Sequence, residues 1–171
     1  QPADNSFDVG SYIQLEKSLN ADFVKSVEAG LEEPVNVAAG IEWREESFEI
    51  VAGEEASWVQ GPFATQGFSV GAHGFAGFSP EAQGTSSRNS IAAYIDVEAY
   101  LTDDFLLGGA LRYEDFSSFG STLNYKLTAQ YELTDELSFR ASHSTGFRAP
   151  TVGQATVVNT QTSLVGGELI Q

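Results

Sequence analysis

Residues 93–141 read AYIDVEAYLTDDFLLGGALRYEDFSSFGSTLNYKLTAQYELTDELSFRA, and through most of that length every second residue is apolar. Ala93, Ile95, Val97, Ala99 and Leu101 hold the odd positions, with Tyr94, Asp96, Glu98 and Tyr100 between them. Phe105, Leu107, Gly109, Leu111 and Tyr113 continue the pattern, and Leu123, Tyr125, Leu127, Ala129, Tyr131 and Leu133 repeat it. Leu137, Phe139 and Ala141 begin a further run opposite Ser138, Arg140 and Ser142. Side chains alternate across a strand, whereas a helix returns to one face only every third or fourth residue. A spacing of two therefore selects strands with one apolar face.

The breaks share a design. Leu101-Thr-Asp-Asp-Phe105 and Leu133-Thr-Asp-Glu-Leu137 are near copies, and Leu31-Glu-Glu-Pro-Val35 is a third instance. A three-residue loop keeps odd positions opposite odd positions, so the apolar face continues across each hairpin. The pattern predicts antiparallel strands near 21–31, 35–50, 90–101, 105–116, 121–133 and 137–147, in sequential neighbour order. In all, about seven strands are expected over residues 1–171. Residues 114–122 read as a medium loop and 51–89 as a long one rich in Gly, Ser and aromatics. Short turns thus alternate with longer loops, as they do in transmembrane barrels. The expected fold is all-β: an antiparallel up-and-down meander forming part of a transmembrane β-barrel wall.

A soluble β-sandwich also alternates, and the aromatics separate the two readings. Pairing through the turns sets Phe105, Tyr131 and Phe139 near the tight-turn end of the apolar face and Tyr113 and Tyr125 near the other. Leu107, Gly109, Leu111, Leu127 and Ala129 lie between. Rims of rings around an aliphatic band suit a lipid-facing wall. The opposite face, with Asp96, Glu98, Arg112, Glu114, Lys126 and Arg140, suits a wet lumen. His143 falls on the apolar face as a neutral rim residue.

Composition narrows the function. Asp and Glu number 24 against 8 Lys and Arg, a formal net charge of -16 that disfavours nucleic acid, whose binding depends on basic side chains. With no Cys, disulfides and thiolate metal sites are excluded. No apolar run reaches the ~18 residues of a transmembrane helix, a test that barrel strands escape. Asp103-Asp104 and Glu54-Glu55 are paired carboxylates in turns, suited to solvation rather than acid–base chemistry. The glycine-rich Gly71–Gly77 stretch lacks the Lys and helix of a phosphate loop. Neither a metal site nor a cofactor is expected.

The segment SFRASHSTGFRAPTVGQ, Ser138 to Gln154, resembles the barrel motif of TonB-dependent receptors, with its core at Gly146, Phe147, Arg148, Ala149 and Pro150. Asn36 to Glu49 is similar to that family's A-x-G-x-E-x-R-x-E strand, matching at Ala38, Gly40, Glu42, Arg44 and Glu46. The resemblance covers about residues 20–155 and implies a barrel of about 22 strands, of which this would be a fragment without the plug domain. It implies an outer-membrane transporter of a Gram-negative bacterium for a bulky scarce solute: a ferric siderophore, haem, cobalamin or a glycan. Expected partners are outer-membrane lipid, the transported ligand, the rest of the barrel with its plug, and the TonB coupling protein. In that setting Trp58, Phe63, Phe68, His73, Phe75 and Phe78, in the long loop, are candidate ligand contacts, and Gly146 to Pro150 a structural strand exit. Not an enzyme is expected. A complete small barrel with a structural or adhesion role, and a soluble sandwich binding ligand, are the alternatives.

Overall fold

The structure, a computed structural model, describes residues 6–63, 66, 71, 75–156, 163–165 and 168–170. Its strands are β1 (Gly10–Val27), β2 (Val35–Ala52), β3 (Gly84–Thr102), β4 (Phe105–Phe116), β5 (Gly120–Thr134) and β6 (Leu137–Ser144), with the short strands β7 (Ser163–Val165) and β8 (Glu168–Ile170). Two short helices, α1 (Glu55–Trp58) and α2 (Val152–Thr156), lie in the connections. β1 to β6 form one sheet in sequential order, the meander expected, and β7 pairs with β8. Among the described residues no helix is long and apolar enough to cross a membrane.

The register keeps odd residues together from strand to strand. Val97 pairs with Gly109, Gly109 with Leu127, and Leu127 with His143. The two near-copy turns differ from the expected three-residue loop in one detail. Thr102 pairs with Phe105 and Thr134 with Leu137, each after a register shift, so each turn has two residues and a bulge just before it. A bulge adds one residue to one strand, which is why the odd faces still match. Thr134 Oγ1 accepts from the amides of Glu136 (3.3 Å) and Leu137 (3.1 Å), a threonine turn.

Other boundaries differ from the sequence expectation. β1 starts at Gly10 and stops at Val27, leaving Leu31 in a longer loop whose Gly30 has φ 76 and which ends on Pro34. The extra length was hidden by Lys17 on the apolar face, which β2 accommodates by pairing it with Glu45 at 2.8 Å. β3 begins at Gly84, so the long connection is shorter than 51–89. The supposed medium loop at 114–122 is a tight turn, Ser117 to Phe119, closed by Gly120 at φ 97 and by a 4.5 Å stack of Phe116 on Phe119.

One compact unit comprises Gln1–Leu15, Glu46–Ser87 and Pro150–Gln171. Its centre is Phe48, Ile50 and Val152, with Phe78 packed against them. The Tyr12 ring lies 5.1 Å from Phe48 and 4.3 Å from Phe78. Hydrogen bonds tie down both ends of the connection: Glu54 N to Asp8 O at 2.9 Å, Gly53 N to Phe78 O at 3.0 Å, Phe78 N to Val9 O at 3.0 Å and Gly77 N to Ser57 O at 2.8 Å. Ser57 is fully buried and donates to Glu54 O at 2.7 Å; a Cβ on Gly77 would collide with its hydroxyl. α2 starts with a reciprocal cap: Gln154 N donates to Thr151 Oγ1 (3.1 Å) and Thr151 N to Gln154 Oε1 (3.0 Å). This turns Val152 into the apolar cluster and sets Gly153 against the Phe48 ring.

The other unit comprises Glu16–Glu45 and Arg88–Ala149. It holds most of the sheet and its two faces.

Truncating Phe48 tests what holds the long connection. Phe48→Ala should cost about 3 kcal/mol of local stability. It should speed amide exchange at Gly77 and Phe78 on the order of a hundredfold. Unchanged exchange would mean the hydrogen bonds hold this connection without the apolar cluster.

Candidate functional site: a two-faced wall with an aromatic connection

The odd face of the second unit is uncovered. Ile91 is 62% exposed, Leu123 65%, Leu127 54% and Phe139 58%, and Leu107, Leu111, Tyr113 and Tyr131 are also exposed. So much bare aliphatic and aromatic surface on one sheet face marks a contact surface rather than a water-facing one. Rings sit toward its ends. Phe105 and Tyr131 meet edge-on at 6.3 Å near the tight turns. Tyr125 OH lies 3.1 Å from His143 Nε2, so these two polar tips partner each other.

The even face carries a chain of charges. Arg44 donates to Glu42 at 2.7 Å and stands 3.6 Å from Glu16. Arg112 reaches the other Glu42 oxygen at 3.2 Å and Glu114 at 3.4 Å, and Ser90 Oγ approaches Glu114 at 3.5 Å. Glu42 thus bridges two arginines, which keeps three carboxylates and two guanidiniums close without a net repulsion. Beside them Tyr94 OH donates to Asp22 at 2.8 Å. Tyr94 belongs to β3 and Asp22 to β1, so the ring passes over β2. It does so above Gly40, where a Cβ would fall 2.5 Å from both the ring and the carboxylate. That contact gives the Gly of the A-x-G-x-E segment its physical reason.

Toward the tight turns the same face opens into a groove of about 370 Å³, lined by Glu98, Lys126, Thr128, Gln130, Arg140 and Ser142. Asp96 lines the adjoining dip, whose floor is Gly108 and Ala110. The structure therefore puts Asp96, Glu98, Arg112, Glu114, Lys126 and Arg140 on the face opposite Leu107 and Leu127, in two groups. Arg112 and Glu114 are tied into the ion-pair chain; Glu98, Lys126 and Arg140 line the groove and Asp96 the adjoining dip. The sequence reading passed over Glu42, Arg44 and Glu16 as members of that chain. The signal was available, because Glu42 and Arg44 alternate on the face opposite Ile41 and Trp43.

The loop aromatics have separate fates. Phe78 belongs to the apolar cluster, and Trp58 donates its indole N–H to Gly53 O at 3.3 Å. Phe75 stands edge-on to Phe78 at 5.5 Å and is exposed, as is Phe63. Phe68 and His73 lie outside the described residues. In the G-F-R-A-P core, Phe147 packs at 6.1 Å from Phe116 and 5.7 Å from Phe119. The buried Arg88 guanidinium lies over both of those rings, at 5.4 and 5.6 Å. Gly146 has open space around it, Arg148 is exposed and Ala149 half-buried. Among the described residues no group of three or more His, Asp or Glu is placed to hold a metal ion.

A meander with one apolar face uncovered and ion pairs on the other is a segment of β-barrel wall. The barrel family model described as TonB dependent receptor-like, beta-barrel, matches residues 2–168, and the chain belongs to that family. A vitamin B12 transporter of Photobacterium profundum is 34% identical over 64 residues, which are 37% of this chain and 10% of that protein. The crystal structure of a mutant ferric enterobactin receptor from Pseudomonas aeruginosa superposes with a TM-score of 0.62 at 17% identity, covering 84% of this chain and 18% of that one. At that identity the likeness shows the fold. The chain thus spans about a tenth to a fifth of the length of these relatives.

Filling the space under Tyr94 should break the crossing. Gly40→Val should push the ring off Asp22 and cost about 1–3 kcal/mol by overpacking. The thermal midpoint of the full-length folded protein in detergent should fall. It should not fall for Gly61→Ala, whose Cβ would meet nothing within 4 Å. Equal midpoints for both variants would refute this role of Gly40.

Proposed function

We propose that the chain is wall and loop of an outer-membrane receptor that imports a bulky, scarce solute of the ferric siderophore, haem, cobalamin or glycan type. The observation that carries the reading is the uncovered odd face within a member of the TonB-dependent receptor family. On β4 the apolar stretch from Phe105 to Tyr113 is roughly 26 Å long at about 3.3 Å per residue, of the order of the ~25 Å lipid-facing band of such barrels. A sandwich would cover that face with a second sheet, and among the described residues nothing covers Ile91, Leu123 or Leu127.

In this reading the ion-paired face lines the lumen, where water and a plug domain of the parent protein meet it. The long connection is extracellular. Its exposed Phe63 and Phe75 are the candidate ligand contacts, because a loop held on a rigid wall is suited to recognition; Phe78 serves the apolar cluster instead. Energy for release comes from the TonB coupling protein through the plug. The chain supplies walls and contacts and no catalytic group. The relatives' names make vitamin B12 and ferric enterobactin the first ligands to try.

Binding of cobalamin, ferric enterobactin, haem and oligosaccharides to the full-length receptor tests the solute class. One of them should bind at micromolar or better affinity and weaken at least tenfold on Phe63→Ala with Phe75→Ala. No binding across the panel would defeat the uptake reading. Charge placement tests the wall. Leu127→Arg should cost the full-length protein about 2–4 kcal/mol in bilayers, and Thr128→Arg, one residue on and facing inward, much less. Similar costs at the two positions would refute the two-faced wall.

A further inference from the structure

The two faces of β2 exchange character part-way along the strand. Val35, Val37, Ala39, Ile41 and Trp43 are apolar at odd positions, but Glu45, Ser47 and Glu49 follow. At even positions the change is the reverse: Glu42, Arg44 and Glu46 give way to Phe48 and Ile50, which are buried in the apolar cluster. On β3 the odd face changes from the other direction, with Thr85, Ser87 and Asn89 preceding Ile91, Ala93 and Ile95. β4 passes from Tyr113 to Asp115, and β5 from Ser121 to Leu123.

We propose that the outer lipid–water boundary crosses this wall along a line between Trp43 and Glu45 on β2, through Ile91 on β3, between Tyr113 and Asp115 on β4, and between Ser121 and Leu123 on β5. The proposal rests on the barrel-wall reading and adds where the lipid ends. Register supports it independently of composition. Tyr113 pairs with Leu123 and Asp115 with Ser121, so the changes on β4 and β5 fall at the same level of the sheet; Ile91 pairs with Asp115, so the change on β3, between Asn89 and Ile91, lies one outward position higher. The row below Asp115, formed by Ala93, Tyr113 and Leu123, is apolar throughout.

The chemistry on either side of the line agrees. A strand bathed in hydrocarbon turns apolar side chains outward, while one bathed in water buries them. β2 does the first up to Trp43 and the second from Phe48. Lys17 and Glu45 form their 2.8 Å pair on the odd face. An ion pair in hydrocarbon loses the hydration of both charges, so this one belongs at headgroup level. Trp43, one outward position below, fits the interfacial belt where Trp is enriched. β1 departs from the pattern, because Ile13 and Leu15 are exposed and apolar beyond Lys17. A level boundary puts them in water.

The test is a set of single spin labels in the full-length receptor in liposomes, read by collision with oxygen and with a polar nickel complex. Labels at Ile41, Ala93 and Leu123 should favour oxygen; labels at Ser47, Ser87, Ser121 and Leu15 should favour nickel. Cysteines at Ser47 and Ser87, but not at Ile41 or Ala93, should react with a membrane-impermeant maleimide on intact cells. Oxygen preference at Ser47, Ser87, Ser121 or Leu15 would overturn the line and leave the wall standing. Labels at Ile41, Ala93 and Leu123 closed to both reagents would overturn the wall itself.

Discussion

The backbone ladder from β1 to β6 is the interaction on which the rest of the structure depends. In hydrocarbon a strand has no water to satisfy its N–H and C=O groups, so each must be met by a neighbouring strand. Sequential antiparallel pairing does this with the shortest connections, and the register of β3, β4, β5 and β6 runs unbroken except at the two bulges beside the tight turns. Once that ladder is fixed, alternation fixes everything else. A residue on Val97's side shares a face with Gly109, Leu127 and His143, whatever its own preference. The exposed apolar face and the ion-paired face are two consequences of one register.

The ion pairs on the even face follow from the same constraint. Arg112 and Glu114 are two residues apart on β4 and must point the same way, as must Glu42 and Arg44 on β2. Charges held side by side on a sheet either repel or pair, and here Glu42 lies between two arginines. Partial burial makes the pairing stronger than at an open surface. Gly40 is the steric counterpart: the empty position over which Tyr94 crosses to Asp22. The A-x-G-x-E-x-R segment is thus a gap, a bridge carboxylate and a cation on one face of one strand.

The meander and its neighbour order were legible because the pattern at residues 93–141 repeats with little interruption. The faces of β3 to β6 were legible for the same reason. β1 was half-missed because Lys17 and Lys25 break its apolar face, and the partner that accommodates Lys17 is Glu45, 28 residues away. Ser117-Ser118-Phe119-Gly120 read as turn-like, but the connection was drawn too long, at 114–122, because the stack of Phe116 on Phe119 that closes it leaves no mark in an alternation pattern. The packed role of Phe78 was illegible for the same reason: its partners Tyr12 and Phe48 come from distant strands. One signal was available and unread. Thr151 and Gln154 have the spacing of a reciprocal helix cap, which α2 uses.

The sheet's edges carry the last step. β1 and β6 each have one hydrogen-bonded neighbour in the sheet. Sheets that end in water guard an edge with short strands, proline, bulges or inward charges. β1 has none of the first two: it runs 18 residues without a proline, and its Lys17 is held by Glu45 rather than left to repel a neighbour. β6 keeps the alternation of an interior strand, with Leu137, Phe139, Ala141 and His143 on the apolar face. Both are built as strands that expect another strand beside them. An open edge at membrane depth would leave a row of unpaired backbone groups, each costing several kcal/mol in hydrocarbon. Both edges are therefore suited to a further strand, in keeping with the barrel family to which the chain belongs.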